Sequence, residues 1–531
     1  MYDYIIVGAG SAGCVLANRL STNPNLRVLL IEAGPEPTSP WIKIPAGVSR
    51  VFQPGPYNWA YTSEPEPELQ NRAMYWPRGK VLGGSSAING MLYVRGHARD
   101  FDSWAQRGNV GWSWSDVLPF FKRSENQQRG ASAAHGGDGE LSVSDPIVRN
   151  TFSKKFIESA TALGFPKRDD FNAGEQDGVG FLQYTINKGS RHSSYEAFVK
   201  PIRNRINLTI VTEALTEAVL LEGKTAVGVR YRKNGEVHAE KAAREVVISG
   251  GVVNSPQLLL LSGIGPADEL KQQGIEVKAD LPGVGENLHD HLFTSLICNV
   301  EPSVSINHKL RGLRAYVEGA RYVAFRAGNL TSGSSQTSLF ARVMPGVDHP
   351  DIQINTRPFS FDHDKAGKWA ISTYPGTMVS INLLRPQSRG RITLRSASPA
   401  DPPKILARFL SQEVDLLGLL EGLKLARRVM ATPPISNVLV SERSPGAGVK
   451  SDEDIKAFIR VNAQSVYHGV GTCKMGIDPM AVVDPRLRVH GVAGLRVADA
   501  SIMPSITSGN TNAPSIMIGE KAADMILADN P

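Results

Sequence analysis

The chain opens on a short apolar run. Residues 4–7 read YIIV, a β-branched and aromatic stretch, and a Gly-rich turn follows at 8–13. CVLANRL at 14–20 then takes up a helical pattern, and RVLLIE at 27–32 returns to a strand pattern. Strand, turn, helix and strand within about 30 residues predict a βαβ unit with a parallel strand pair. Related patterns recur. REVVIS at 244–249 predicts a strand ending in small residues, and GGVVNSPQLLLLSGIG at 250–265 predicts a buried helix. LRVADA at 495–500 predicts a strand ending in an acid, with an Ala/Ile/Met-rich helix closing the chain. The middle alternates with period two in DIQINTRP (351–358), TMVSINLLRP (377–386) and GRITLRS (390–396). These segments predict an antiparallel sheet beside helices such as 411–432. GGDGE at 136–140 and SERSPGAG at 441–448 read as loops or lids. No internal repeat is visible.

Composition narrows the class. At 531 residues the chain exceeds one simple core, so two domains are expected. Hydrophobic residues make up 41% and charged residues 21%, an ordinary globular balance that excludes disorder and coiled coil for most of the chain. The net charge of +7 arises from 58 basic and 51 acidic residues without a long basic run. A solvated surface explains it, with room for an anionic cofactor or a membrane surface; no motif supports nucleic-acid binding. Three cysteines, Cys14, Cys298 and Cys473, imply no disulfide framework and fit a reducing compartment. MYDYIIVGAG lacks the layout of a secretory leader, and no run of about 18 apolar residues exists to span a membrane. The expectation is a cytoplasmic monomer or small homo-oligomer, with room for peripheral contact at the inner face of the membrane.

The first turn carries chemistry. Gly8, Gly10 and Gly13 have G-x-G-x-x-G spacing, and Glu32 follows at the end of the next strand. Gly8 permits the tight turn, Gly10 lets a pyrophosphate approach the backbone, and Gly13 lets the helix pack against the strand. The helix N-terminus attracts phosphate, and Glu32 can accept from a ribose hydroxyl. This predicts a dinucleotide site without separating FAD from NAD. RGKVLGGSSAINGM at 78–91 is a second Gly/Ser-rich stretch, able to bring backbone N–H groups close to a flat or anionic ligand.

Taken together, GAGSAG at the N-terminus, GKVLGGSSAIN at 79–89, GVVNSPQLLLLSGIG at 251–265, GVGENLHDH at 283–291 and the C-terminal His-plus-Asn region resemble the glucose–methanol–choline family of FAD-dependent oxidoreductases. The match covers nearly the whole chain and looks most like the bacterial alcohol dehydrogenases of that family. The resemblance implies an α/β protein: a Rossmann-like FAD-binding domain (1–155, 204–291 and 457–531) with an inserted α+β substrate domain on an antiparallel sheet (156–203 and 292–456). It implies cofactor contacts at Gly8, Gly10, Ser11, Ala12, Gly13, Glu32 and Ala33. It adds Gly83, Gly84, Ser86, Asn89, Gly90 and Met91 along the flavin, and Asp499, Ala500 and Thr511 near the C-terminus. Thr216 falls where the family usually has a valine whose backbone meets the adenine. Some relatives attach FAD covalently through a histidine; Ile88 stands there in this chain, so non-covalent FAD is expected.

Alcohol oxidation needs a base for the hydroxyl proton and an acceptor for the carbinol hydride. Flavin N5 is the acceptor, and neutral imidazole suits the base. Among eleven histidines, His468 in SVYHGVGTCKMG matches the family's catalytic histidine, and Asn510 matches the second active-site position. Asn510 is expected to hydrogen-bond the substrate oxygen. His97, His135, His238, His308, His349 and His363 read as surface or structural residues, as do His289 and His291; His490 reads as a strand-end residue. No metal site is expected, because no further ligands complete the H-x-H at 289–291 or join His468 and Cys473. Cys473 reads as a packing residue. Gln336 stands near the place where choline-oxidising relatives carry an acid, which points away from choline and toward a primary alcohol, sugar alcohol or glycol. Phe340, Ile88 and Val466 are expected on the pocket. A quinone or other non-oxygen electron acceptor is preferred; the alternatives are an oxygen-using oxidase, a hydroxynitrile lyase and a flavoprotein without redox turnover.

Overall fold

A computed structural model describes residues 1–363 and 369–530. Its frame is two seven-stranded sheets. In the first, the parallel order is Leu208–Val211, Val28–Ile31, Tyr2–Val7, Glu236–Ile248, with Leu495–Val497 beside the end of the last. Tyr2–Val7 and Val28–Ile31 are buried almost throughout, as unbroken apolar runs in a covered parallel sheet must be. Glu236–Ile248 is long enough to serve twice. Its first half pairs antiparallel with Thr225–Lys233, which pairs with Ala214–Glu222; only residues 245–248 are continuously buried. The helices Ser11–Leu20 and Asn512–Asp529 pack together on this sheet, and Gly251–Leu261 joins the same core. The sequence pattern predicts the strands at 4–7, 27–32, 244–249 and 495–500 and these three helices; it does not single out Leu208–Val211, Ala214–Glu222 or Thr225–Lys233.

The second sheet is antiparallel, in the order Leu439–Ser444, Leu292–Val300, Gly376–Leu383, Ile352–Arg357, Thr337–Ala341, Gly178–Phe181. One face packs on the helix Glu413–Met430, whose Gly418 and Gly422 let Leu383, Ile381 and Ile352 approach its backbone. The other face looks across a cavity toward the first sheet. Two sequence readings change. Residues 441–444, expected in a loop, form the sheet's edge strand, because Leu439–Ser444 finds its ladder on Leu292–Val300. GRITLRS contributes only Arg391–Thr393, which pairs with Lys404–Leu406 outside the main sheet. His363, expected as a surface or structural residue, lies outside the described side chains.

Candidate active site

A cavity of about 920 Å³ lies between the two sheets. The cofactor half is built at strand ends. Gly8, Gly10, Ser11, Ala12, Glu32 and Ala33 line it, as do Gly84, Asn89, Gly90, Met91, Thr216, Asp499, Ala500 and Thr511. Three residues expected to touch cofactor sit behind this wall. A Cβ on Gly13 would stand 1.9 Å from the Gly8 carbonyl oxygen, so Gly13 serves helix packing. Gly83 abuts Tyr195 and Ser193, and the Ser86 hydroxyl donates to the Gly83 carbonyl (2.5 Å) and accepts from the Ser194 amide (2.9 Å), holding the loop from behind.

The half fits an anionic dinucleotide. The helices Ser11–Leu20 and Asn512–Asp529 both begin without a side-chain cap on their first-turn amides, and the Ser11 hydroxyl donates to Asn512 Oδ1 (2.7 Å), tying their starts together at the cavity wall. Gly84 has φ +51°, and a Cβ there would lie 2.7 Å from Gly10 Cα, so the two Gly-rich loops meet only because neither carries a side chain. Glu32 accepts from the amides of Ala9 (2.9 Å) and Gly34 (2.8 Å); burial raises its pKa to about 7 against those bonds. Asp499 accepts from Gly251 N, Ser255 Oγ and Ser501 N, locking the end of one strand to the start of the helix Gly251–Leu261.

At the far end of this wall stands His468. Residues 464–470 run beside 289–293 as a zipper: Val466 N donates to the His291 carbonyl, and His289 and Val470 exchange backbone bonds. Tyr467 is held at φ +67°, a strained conformation for a large side chain. Its amide donates to Ser465 Oγ (2.8 Å), its carbonyl accepts from Arg78 Nη1 (2.6 Å), and the next amide, of His468, donates to Asp290 Oδ1 (2.7 Å). This bracing fixes the imidazole.

The hydrogen bonds also fix its tautomer. His291 Nε2 lies 3.0 Å from the Leu384 carbonyl, which can only accept, so the His291 proton is on Nε2. Burial lowers the His291 pKa to about 4, so the ring is neutral and its Nδ1 is an acceptor. His468 Nδ1, 3.0 Å away, therefore donates to it. That leaves a lone pair on His468 Nε2, which accepts from Asn510 Nδ2 at 3.0 Å. Burial first, then the neighbouring His291 and Arg78, hold the His468 pKa well below its ordinary value. The result is a neutral imidazole with its basic nitrogen turned to the cavity and an amide N–H beside it. Among the described residues the buried Asn510 Oδ1 has no partner.

Asn510 is placed by its own loop. The carboxylate of Asp100 accepts from the amide (2.6 Å) and hydroxyl (2.9 Å) of Ser508, and His289 Nε2 accepts from Ile506 N (2.9 Å). His289 is thus a structural clamp. His291 is not merely structural, since it touches His468 directly, and Asp290 and His291 both hold the loop that carries His468. Arg78 and Arg357 also line the cavity; Arg78 heads the Gly/Ser-rich stretch 78–91, whereas nothing in the surroundings of Arg357 distinguishes it. Of the expected pocket residues, Ile88 and Val466 line the cavity; Phe340 does not. It is fully buried and packs on Phe171 with ring centres 5.0 Å apart. Cys473 is a packing residue whose amide donates to the Ser501 carbonyl. Among the described residues the one compact group of metal-ligand type is His97, Glu175 and Asp177. His97 Nδ1 accepts from the Arg99 amide (3.2 Å), which puts its proton on the nitrogen a metal would need.

Fold and site define a flavin-dependent oxidoreductase acting on CH–OH donors, and the cofactor is FAD. The chain belongs to the GMC oxidoreductase family, whose N-terminal model matches residues 2–293 and whose C-terminal model matches residues 386–519. It is 45% identical over 531 residues to an alcohol dehydrogenase [acceptor] of Pseudomonas putida, covering 99% of this chain and 96% of that one. It is 44% identical over 532 residues to an oxygen-dependent choline dehydrogenase of Sinorhizobium fredii, covering 100% and 96%. A formate oxidase variant from Aspergillus oryzae RIB40, studied for its FAD modification, superposes with a TM-score of 0.93 at 29% identity, over 100% and 98% of the two chains.

Proposed function

We propose that the protein oxidises a primary alcohol to the aldehyde, with His468 as the base and non-covalent FAD as the immediate electron acceptor. The observation that carries this reading is the chain from the Leu384 carbonyl through His291 and His468 to Asn510. A substrate hydroxyl entering between His468 Nε2 and Asn510 Nδ2 meets one acceptor and one donor. The acceptor takes the proton, and the amide N–H stabilises the charge left on oxygen. FAD, when bound, supplies the hydride acceptor at N5. Ile88, nearly fully buried in the cradle, offers no group for a covalent bond to it. The test is anaerobic mixing of the holoenzyme with a panel of alcohols: loss of flavin absorbance supports the reading, and an oxidised flavin with every alcohol refutes it.

Choline fits less well than a substrate without a fixed positive charge. The Gln336 side chain is neutral and fully occupied: its oxygen accepts from Asn150 N and Ser153 Oγ, and its nitrogen donates to the Val148 carbonyl and Ser332 Oγ. Among the described residues the carboxylates lining the cavity are Glu32 and Asp499, both held at the cofactor end.

A quinone acceptor is supported by the helix Gly312–Phe325. Its buried side carries Glu318 and Tyr322. Its outer side presents Leu313 (84% exposed), Tyr316 (78%), Val317 (66%) and Val323 (75%), an apolar stripe at i, i+3, i+4 and i+10. Lys309, Arg311, Arg314, Arg321 and Arg326 flank it. An apolar stripe with basic flanks suits the interface of an anionic bilayer. The helix borders the cavity, which Ile306, Leu310 and Asn329 line on either side of it in sequence. The expected result is co-sedimentation with phosphatidylglycerol-containing vesicles, weaker with neutral ones and lost in a Leu313→Asp/Val317→Asp variant. Equal binding by both proteins would remove the helix as the docking element. In parallel, reduced enzyme should pass electrons faster to a water-soluble quinone than to oxygen; the reverse order would make it an oxidase.

A further inference from the structure

We infer that Arg357 makes the substrate pocket a receptor for an alcohol that carries a carboxylate. This rests on the reading of the cavity as an alcohol-oxidising site. Arg357 ends the strand Ile352–Arg357 and stands opposite Met378, which in turn stands opposite Ile297. All three line the cavity, so the guanidinium belongs to the sheet face that looks onto the flavin side. Two of its five N–H groups are placed: Nε donates to the Ser334 carbonyl (3.2 Å), and Nη1 meets the Met378 sulfur (3.0 Å), a weak acceptor. Ser334 is itself packed on Gly90 of the flavin cradle, where a Cβ would come within 2.5 Å of the Ser334 hydroxyl. Three N–H groups, one on Nη1 and both on Nη2, remain for a ligand, and they lie on the edge that grips a carboxylate with two parallel bonds.

Among the described residues Arg357 has no carboxylate partner, and burial lowers its pKa to about 10 with Tyr467 as the sole opposing group. It therefore stays cationic at neutral pH. A desolvated cation without a counter-ion is costly to the free enzyme, and an anionic substrate removes that cost on binding. Tyr467 directly precedes His468, which puts Arg357 on the base's side of the cavity. A second cation, Arg78, lies there too; among the described residues its buried Nε and Nη2 have no partners, although Asp290 is close enough to oppose its charge. Together with the neutral, fully bonded Gln336, the substrate half reads as positive where a choline pocket needs negative charge.

The test compares three probes in anaerobic flavin reduction: 4-hydroxybutyrate, the diol 1,4-butanediol, and choline. The wild-type holoenzyme is expected to favour the hydroxycarboxylate over the diol by about 30-fold or more in the second-order rate constant, with choline weakest. In Arg357→Met that ratio falls by a similar factor, mostly through weaker binding, and Arg357→Lys keeps part of it. Butyrate should inhibit the wild type competitively, less so at high salt, and butylamine should not. That arm holds even if the variants lose FAD. A wild-type preference for the diol or choline, an unchanged ratio in a FAD-loaded Arg357→Met, or no inhibition by butyrate overturns the assignment. Failure of all alcohols to reduce the flavin would instead overturn the underlying function.

Discussion

Replacing His468 with alanine is expected to slow flavin reduction by alcohol by about 10²- to 10⁴-fold while FAD stays bound. In the proposed reaction His468 is the base, and the cradle proposed for the cofactor is built from other segments: the loops 8–13 and 83–91, and the strand ends at Glu32 and Asp499. Asn510 cannot substitute, because an amide has no usable basicity. The pH dependence follows from the sign of the shift. The base works when neutral, which holds above its pKa, and burial together with His291 and Arg78 moves that pKa well below the ordinary value. The wild-type rate should therefore stay flat through about pH 6.5, where a solvated histidine is half protonated, and fall only at lower pH. Stopped-flow reduction across pH, with flavin content measured by absorbance, checks both statements. Near-normal reduction in His468→Ala, or an inflection close to pH 6.5 in the wild type, would remove His468 as the base.

His291→Ala should cost about 10²-fold in the same step, although His291 faces His468 rather than the substrate. Alanine removes the acceptor for the His468 Nδ1 proton, and the proton is then free to occupy Nε2, where the base needs its lone pair. His291→Asn places an amide oxygen near the lost Nδ1 and should recover part of the rate. A purely architectural role would lower thermal stability and FAD content in both variants alike, with no difference in rate between them. Equal rates for His291→Ala and His291→Asn would therefore refute the positioning role.

How much of this could be read from the chain differs by element. The βαβ start is local: strand, Gly-rich turn, helix and acid lie within residues 2–32, and the physics of each step needs only its neighbours. The long helices 413–430 and 512–529 were equally legible, because apolar content over 18 residues outweighs local exceptions. The Ser, Pro and Gly content of 441–448 predicts a loop; residues 441–444 form a strand because Leu292–Val300 offers an edge. Phe340 shares a strand face with Ser338 and stands opposite Gln353, as the pocket reading requires, but it packs under Phe171 in a separate apolar cluster that keeps it from the cavity, a contact no local spacing reveals. Sequence alone leaves His291 a structural residue, because an H-x-H spacing says nothing about a residue 177 positions away that completes the contact.

From the sequence alone come the dinucleotide fingerprint, a pattern of residue types at short spacing, and the family resemblance, which implies the roles of His468 and Asn510. Tertiary structure decided the rest. It chose which nitrogen of His468 carries the proton, because that depends on a carbonyl at Leu384 and a ring at His291 brought together from distant segments. It also put a guanidinium in the substrate half of the cavity and tied up Gln336 with backbone partners. Tautomer and pocket charge are properties of surroundings in three dimensions, where hydrogen-bond direction and desolvation act over a few ångströms irrespective of separation along the chain.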